Sequence, residues 1–320
     1  RGDEELIVAR GKKAIIPDEE PMTPDTIFDL ASLTKVVVTA TLFAMAVREG
    51  IIRPDEEVRA LLPVFKHGGI TLLHLATHTS GLPAWRPLYE LGSPEEAIGY
   101  LGEISLEHPP GKKVIYSCLG YILLGKALER AWGEGLDRIA RDRIFEPLGM
   151  RETLFNPPPS LRGRCAPTES GRSLARRRPG YIRSKEQFEP DWAVRGEVHD
   201  ENAFFLGGVS GNAGLFSTIS DLIAFCRALI KGELLDKEGV EMISKPHTEG
   251  LNERRGMGWI IMPDGSLYHT GFTGTSIRIC LRRRLAAILL SNRIHPHASG
   301  YTSLGIREMR ERFYGLVFGG

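Results

Sequence analysis

Ser32 and Lys35 stand three residues apart at the head of an apolar run, a spacing that on a helix puts both side chains on one face within hydrogen-bonding reach. The pairing suits nucleophilic catalysis. A serine hydroxyl is a weak nucleophile, and an adjacent amine that is desolvated or close to other cations can lose its proton and act as a base. A serine at a helix start also has backbone N–H groups aimed at a reacting carbonyl. Tyr116, in front of a second apolar run, can carry the second proton if cations lower its pKa from about 10 toward neutrality, a shift of roughly 4 kcal/mol. Alone, an S-x-x-K spacing equally describes two ordinary helix residues, and a tyrosine before an apolar helix is usually core.

Other chemical patterns fail on inspection. His74 and His78 have the four-residue spacing of a helical metal site, but Leu75 stands where H-E-x-x-H needs glutamate, so ordinary helix histidines are expected and no metal. Gly208-Val209-Ser210-Gly211-Asn212 nearly spells the nucleophile elbow G-x-S-x-G, yet ends in asparagine with no strand leading in; a glycine-rich structural turn is expected. Cys118, Cys165, Cys226 and Cys280 form no C-x-x-C pair, which argues against a zinc knuckle or a disulfide framework. No phosphate-binding loop or dinucleotide fingerprint occurs, and no cofactor is expected.

The elements that would position these residues follow from periodicity. A short strand is expected at Leu6-Ile7-Val8, and helices over 71–77, 119–132, 220–231 and 304–316. Pro263-Asp264-Gly265 lies between apolar runs 258–262 and 266–268, a hairpin signal, and two further strand runs follow at 276–281 and 285–291. The layout predicts one α+β catalytic unit over 1–320: an antiparallel sheet assembled from 1–30 and 245–320, flanked by helices, and a mostly helical region over 31–244. Within that region, 162–185 contains Arg176-Arg177-Arg178 and few apolar residues. It reads as a solvated basic loop, or as a lid whose arginines meet an anionic substrate.

Four motifs in order, FDLASLTK (28–35), LATHTSGLP (75–83), YSCLGY (116–121) and HTGFTG (269–274), resemble the signatures of the serine beta-lactamase and penicillin-binding-protein superfamily. The likeness covers most of the chain and is nearest to the class C beta-lactamase-like branch, which also contains D-amino-acid peptidases and carboxylesterases. A second stretch, including Gly196-Glu197-Val198-His199-Asp200-Glu201-Asn202 and 207–217, is similar to a subgroup that includes muramyl-peptide amidases. The resemblance implies a beta-lactamase/transpeptidase-like fold and an acyl-enzyme on Ser32, with Lys35 and Tyr116 exchanging its proton. His269, Thr270 and Gly271 would form the substrate-binding edge strand, and the backbone N–H groups of Ser32 and Phe272 the oxyanion hole. Expected substrates are beta-lactams, peptidoglycan-derived peptides or esters; a non-catalytic sensor of muropeptides or beta-lactams is the alternative. His199, Asp200 and Glu201 either line the cleft or merely close the helical region.

Two departures from the family pattern bear on substrate. Cys118 stands where the family most often has asparagine, and offers only a weak S–H donor; it is also read as a small buried hydrophobe. His269 replaces the usual lysine, which predicts that carboxylate-bearing substrates bind better in mild acid.

Composition bounds the rest. The chain has 320 residues, 42% hydrophobic, and 41 basic against 40 acidic residues, so no global field draws it to nucleic acid or an anionic bilayer. The run 36–47 falls short of the ~20 residues that span a membrane and reads as a buried helix. One glutamine and five asparagines suggest a heat-adapted source. The chain opens at Arg1 without a signal-type segment, and a clipped N-terminus is expected because family members commonly begin with a further helix and strand. Family habit suggests an extracytoplasmic site, while scattered cysteines fit the cytoplasm equally.

Overall fold

The computed structural model describes residues 4–297 and 303–319. Three separate sheets share the strands. Near the N-terminus, β1 (Lys12–Ala14) pairs with β2 (Glu20–Pro21). A second sheet has the order β3-β5-β4, from Phe28–Asp29 (β3), Leu154–Phe155 (β4) and Leu215–Ser217 (β5). The third is an antiparallel meander of β6 (Ile260–Ile261), β7 (Leu267–Thr270), β8 (Ser276–Cys280) and β9 (Leu285–Leu289) in sequential order.

The expected helices form where caps permit. In chain order, α1 is Ala40–Arg48, α2 Leu72–Ala76, α3 Cys118–Trp132, α4 Gly171–Arg177, α5 Ile219–Lys231 and α6 Ser303–Phe318. Thr71 starts α2 with a reciprocal capping box, in which His74 accepts from Thr71 N at 3.1 Å; that is the work of His74. Gly133 and Gly232 end α3 and α5 in the left-handed conformation that favours glycine. One continuous core joins Val36, Val37 and Phe43 to Leu123 and Leu124 of α3 and to Leu267, Ile277 and Ile279 of the meander. The segment Ala31–Arg48 is apolar enough to cross a membrane by length and composition, but 78% of it is buried inside the fold.

Three expectations are corrected. Leu6-Ile7-Val8 joins no ladder, with Leu6 86% and Val8 65% exposed, so the meander is built from C-terminal residues alone. Gly11, at φ +85°, directly precedes the β1–β2 hairpin. The segment 162–185 is not a solvated loop, because α4 buries Ser173 and Leu174 within it. Nor is the serine segment a regular α-helix: Ala31–Leu33 is a 3-10 turn and Lys35–Thr39 a π-helical turn before α1 begins. Such π turns recur at functional sites.

The π turn is locked by a backbone-to-backbone approach. Thr39 Oγ1 donates to Gly211 O at 2.7 Å, and Gly211 packs on α3, where its Cα faces Gly125. A Cβ at Gly211 would lie 2.1 Å from Tyr121 O, closer than any real contact. Gly211→Ala is therefore expected to cost about 1–3 kcal/mol, whereas Gly99→Ala, whose Cβ meets nothing within 4 Å on a helix, should be neutral or stabilising by up to about 1 kcal/mol. Denaturant melts of the two variants against the parent check this contrast.

Candidate active site

The 78–84 segment builds the seat of Tyr116. Ile115 N donates to His78 O at 2.9 Å, Ser117 N to His78 Nδ1 at 3.0 Å, Ser117 Oγ to Pro83 O at 2.7 Å and Cys118 N to Ala84 O at 2.9 Å. Ser117 then caps α3 by accepting from Gly120 N at 3.0 Å. The loop has little freedom left. Tyr116 is thereby set 4.6 Å from the His78 ring and 5.9 Å from the His269 ring, centroid to centroid.

Lys35 is fully buried and its Nζ donates to Ser32 Oγ at 3.0 Å and to Asn212 O at 2.8 Å, with Cys118 Sγ at 3.5 Å. The pair spans the junction of the 3-10 and π turns, and the serine–lysine contact survives the departure from α geometry. The Tyr116 ring centroid lies 5.0 Å from Lys35 Nζ, and Lys35 and Ser32 both pull on the pKa of its hydroxyl. Three of the expected residues thus converge on one point, with Cys118 beside them.

Burial decides the protonation of this group. It pushes the Tyr116 phenol above its ordinary value against the pull of the Lys35 cation, and raises the Cys118 thiol likewise. The expected lowering of Tyr116 toward neutrality is thus overturned. Burial works against the Lys35 ammonium too, but Cys118 and Tyr116 outweigh it and its pKa is raised. Cys118 and Tyr116 raise the Lys35 pKa only through the charge they carry when ionised, so the groups titrate as one coupled set, and a base arises when the pair of Lys35 and Tyr116 gives up one proton.

His269 is 2% exposed, and neither ring nitrogen has a hydrogen-bond partner among the described residues. Burial, with the cations of Arg255 and Lys35, drives its pKa well below 6.5. A neutral imidazole cannot supply the charge expected to hold a substrate carboxylate in mild acid, so that expectation is also overturned. His78 is held neutral for the same reason. Besides Lys35, 5.0 Å from the Tyr116 ring centroid, the second cation at that ring is Arg255, 3% exposed, at 5.4 Å and paired with Glu253 at 2.5 Å. Nothing in the run Asn252-Glu253-Arg254-Arg255 distinguishes it from a surface arginine.

One edge of β7 is open beside these groups. β6 pairs only with Leu267 and Tyr268, whereas β8 pairs with His269 and Thr270 as well. Beyond Thr270 the strand closes on the serine segment: a Cβ at Gly271 would fall 2.5 Å from Leu30 O, so only glycine fits. Phe272 follows, 47% exposed, its ring stacked on His199 at 5.6 Å and flanked by the guanidinium groups of Arg293 at 5.0 Å and Arg177 at 5.8 Å.

The acidic stretch pairs inward. His199 N donates to Asp29 Oδ2 at 2.6 Å, and His199 Nε2 lies 2.8 Å from Glu169 Oε2. Arg177 bridges Glu169 at 2.9 Å and Glu201 at 2.6 Å. Against burial, which works the other way, the hydrogen bonds from His199 and Arg177 hold the Glu169 carboxyl down at about 2. The arginine expected on an anion-binding lid is therefore already neutralised. Asp200 Oδ1 accepts from Ala203 N at 2.8 Å and from Asn212 Nδ2 at 3.3 Å, which places it behind the lysine acceptor. Sequence reasoning missed the Asn212 carbonyl; the clustered glycines before it signal a turn but not its purpose. All four cysteines are free, and among the described residues no three His, Cys, Asp or Glu converge as a metal cage.

Comparison with known proteins agrees with this geometry. A family model described as "Beta-lactamase" matches residues 1–305. The chain is 33% identical over 315 residues to an N-acetylmuramyl-L-alanine amidase of Bacillus subtilis (strain 168), covering 86% of this chain and 69% of that protein. It is 30% identical over 326 residues to a "Putative D-alanyl-D-alanine carboxypeptidase" of Escherichia coli (strain K12), covering 87% and 72%. Among solved structures, a penicillin binding protein from Bacillus halodurans superposes with TM-score 0.73 at 20% identity over 98% of this chain and 94% of that one. EstCE1, a hydrolase with promiscuous acyltransferase activity, gives 0.68 at 22% over 91% and 86%. The structural likenesses show the shared α+β fold.

His78 and His269, both buried, contribute to the acid stability. Their folded-state pKa values lie below the unfolded value of about 6.5, so on acidification the unfolded chain takes up protons that the folded chain refuses. Their contribution is complete above pH ~6.5 and is lost as pH falls below it, by up to about 1.4 kcal/mol per pH unit for each histidine. Melting temperatures at pH 7.5 and 5.5 are expected to show this fall, and a smaller one in His269→Asn.

Proposed function

The chain belongs to the beta-lactamase family of serine hydrolases, and on that premise we propose that it works through an acyl-enzyme on Ser32, with peptidoglycan-derived peptides as its substrates. The observation that carries this reading is the 3.0 Å contact between Lys35 Nζ and Ser32 Oγ, with the Tyr116 ring centroid 5.0 Å from the same Nζ. A pure binder has no use for such an arrangement, which argues against the sensor alternative.

The reaction follows from the proton inventory. Once the Lys35–Tyr116 pair has lost one proton, it accepts the Ser32 proton as Oγ attacks the substrate carbonyl. The backbone N–H groups of Ser32 and Phe272 receive the developing oxyanion. Collapse breaks the bond to the leaving amine or alcohol, which takes its proton from the same pair, and a water deprotonated by that pair then cleaves the acyl–serine ester. A substrate amide laid along the open edge of β7 gains backbone-type hydrogen bonds, as a strand would. The names of the amidase and carboxypeptidase relatives support a peptide in that position.

A second reading, hydrolysis of uncharged esters, is favoured by the neutral His269 and by the thiol of Cys118. Neither supplies the cation or amide donor that an anionic amide substrate gains from lysine and asparagine. A missing hydrogen bond to a substrate amide costs ~1–3 kcal/mol, or roughly tenfold to a hundredfold in rate, so beta-lactam turnover is expected to be slow.

Two experiments test the reading. Hydrolysis of an acyl-D-alanyl-D-alanine peptide, p-nitrophenyl acetate and nitrocefin is compared in the parent, Ser32→Ala and Cys118→Asn. Ser32→Ala is expected to abolish every activity above background, and Cys118→Asn to raise nitrocefin turnover about tenfold or more while esterase activity changes little; serine-independent turnover contradicts the proposal. In the parent, kcat/KM for the neutral ester should still be climbing at pH 9, without a plateau, because both groups of the pair are held above their ordinary values of about 10. A bell centred near pH 6.5 would point to a histidine base instead.

A further inference from the structure

The two N–H groups assigned above to the oxyanion hole lie on elements separated by most of the chain, Ser32 before α1 and Phe272 after β7. Their separation must nevertheless hold to within about 0.5 Å for both to reach one oxygen. The backbone on the serine side is itself under strain. Ala31, immediately before the nucleophile, has φ +48°, a left-handed conformation that costs an L-residue roughly 1–2 kcal/mol, so neighbouring groups must hold it in place.

Two buried hydroxyls bridge the gap. Thr273 Oγ1 donates to Asp29 O at 2.8 Å and Thr275 Oγ1 donates to Leu30 O at 3.0 Å. Both threonines belong to the turn that carries Phe272, with Gly271 N donating to Thr275 O at 2.7 Å and Gly274 N to Gly271 O at 3.1 Å. Both acceptors belong to the segment that leads into Ala31 and Ser32. The ties are backed on either side. Asp29 Oδ1 accepts from Ala31 N at 2.8 Å and Leu30 N donates to Leu215 O at 2.9 Å, fixing the serine side. Arg310 of α6 donates to Gly271 O at 3.0 Å and to Thr275 O at 2.9 Å, fixing the strand side. The N–H of Phe272 donates to no group among the described residues, as a group reserved for a ligand would.

We propose that Thr273 and Thr275 are positioning residues of the oxyanion hole: their hydroxyls register the Phe272 turn against the strained serine segment and so set the distance between the two donors. They touch neither substrate nor nucleophile. Their loss is felt in the transition state, where the donors act, and not in ground-state binding. The proposal rests on the serine-hydrolase reading and adds to it a cause for the paired threonines, at 273 and 275, that follow Gly271.

The test uses Thr273→Val and Thr275→Val, which keep the side-chain shape and delete the hydroxyl, with Thr273→Ser as the conservative control. Against p-nitrophenyl acetate, each valine variant should lose about tenfold to a hundredfold in kcat, since misplacing a catalytic group by about 1 Å costs on that order, with KM within about threefold of the parent. Affinity for an arylboronic acid, which mimics the tetrahedral species, should fall in parallel, and Thr273→Ser should restore both. Amide hydrogen exchange of peptides spanning 29–33 and 271–275 reads the tie without reference to activity, and should accelerate in the valine variants. Unchanged exchange, unchanged kcat, or a fall in kcat that serine does not rescue would overturn the proposal. An inactive parent with accelerated exchange in the variants would instead overturn the hydrolase reading, and the catalytic role with it.

Discussion

A fully buried ammonium must find acceptors for its protons, and the Lys35 Nζ is the constraint around which the centre of the molecule is arranged. An unpaired charge in a core is among the most costly features a fold can carry. Here Ser32 Oγ, the Asn212 carbonyl and the Cys118 sulfur surround it, one from each of three distant parts of the chain. The glycine approach at 125 and 211 exists to bring that carbonyl in, and the π turn rotates the lysine toward it. The loop pinned by residues 78–84 delivers Tyr116 and Cys118 to the other side. Satisfying the lysine and assembling the nucleophile are the same structural act.

Ser32, Lys35 and Tyr116 were legible in the sequence because a short spacing and an ordered set of flanking motifs mark them. The amphipathic helices and the Pro263-Asp264-Gly265 hairpin were legible because period and turn chemistry are local signals. What the sequence concealed is long-range or electrostatic. Asn212 contributes a backbone carbonyl, which any residue type could offer, and Arg255 looks like its surface neighbours until the fold buries it. The basic segment failed as a loop because Arg177 and Arg178 are matched by Glu169, inside the segment, and Glu201, beyond it, and no local pattern shows that pairing. Leu6 to Val8 has strand-like composition, but a strand needs a partner, and this segment joins none of the described sheets.

The protonation states show where magnitude overrules pattern. A tyrosine beside a lysine suggests a lowered pKa and a histidine in a cleft suggests a titratable switch, yet burial exceeds both effects and leaves a phenol and a neutral imidazole. Lys35 is the cation in contact with Ser32, while Arg255 lies against Tyr116 and the guanidinium groups of Arg177 and Arg293 flank Phe272.

The central claim is that Ser32 alone is activated for covalent attack. Intact-mass spectrometry after incubation with a fluorophosphonate, followed by peptide mapping of the parent and of Ser32→Ala, tests it most directly. The account predicts one adduct per chain, located on Ser32 and absent from the variant. An adduct on another residue that persists in Ser32→Ala, or no adduct on the folded parent, would contradict it.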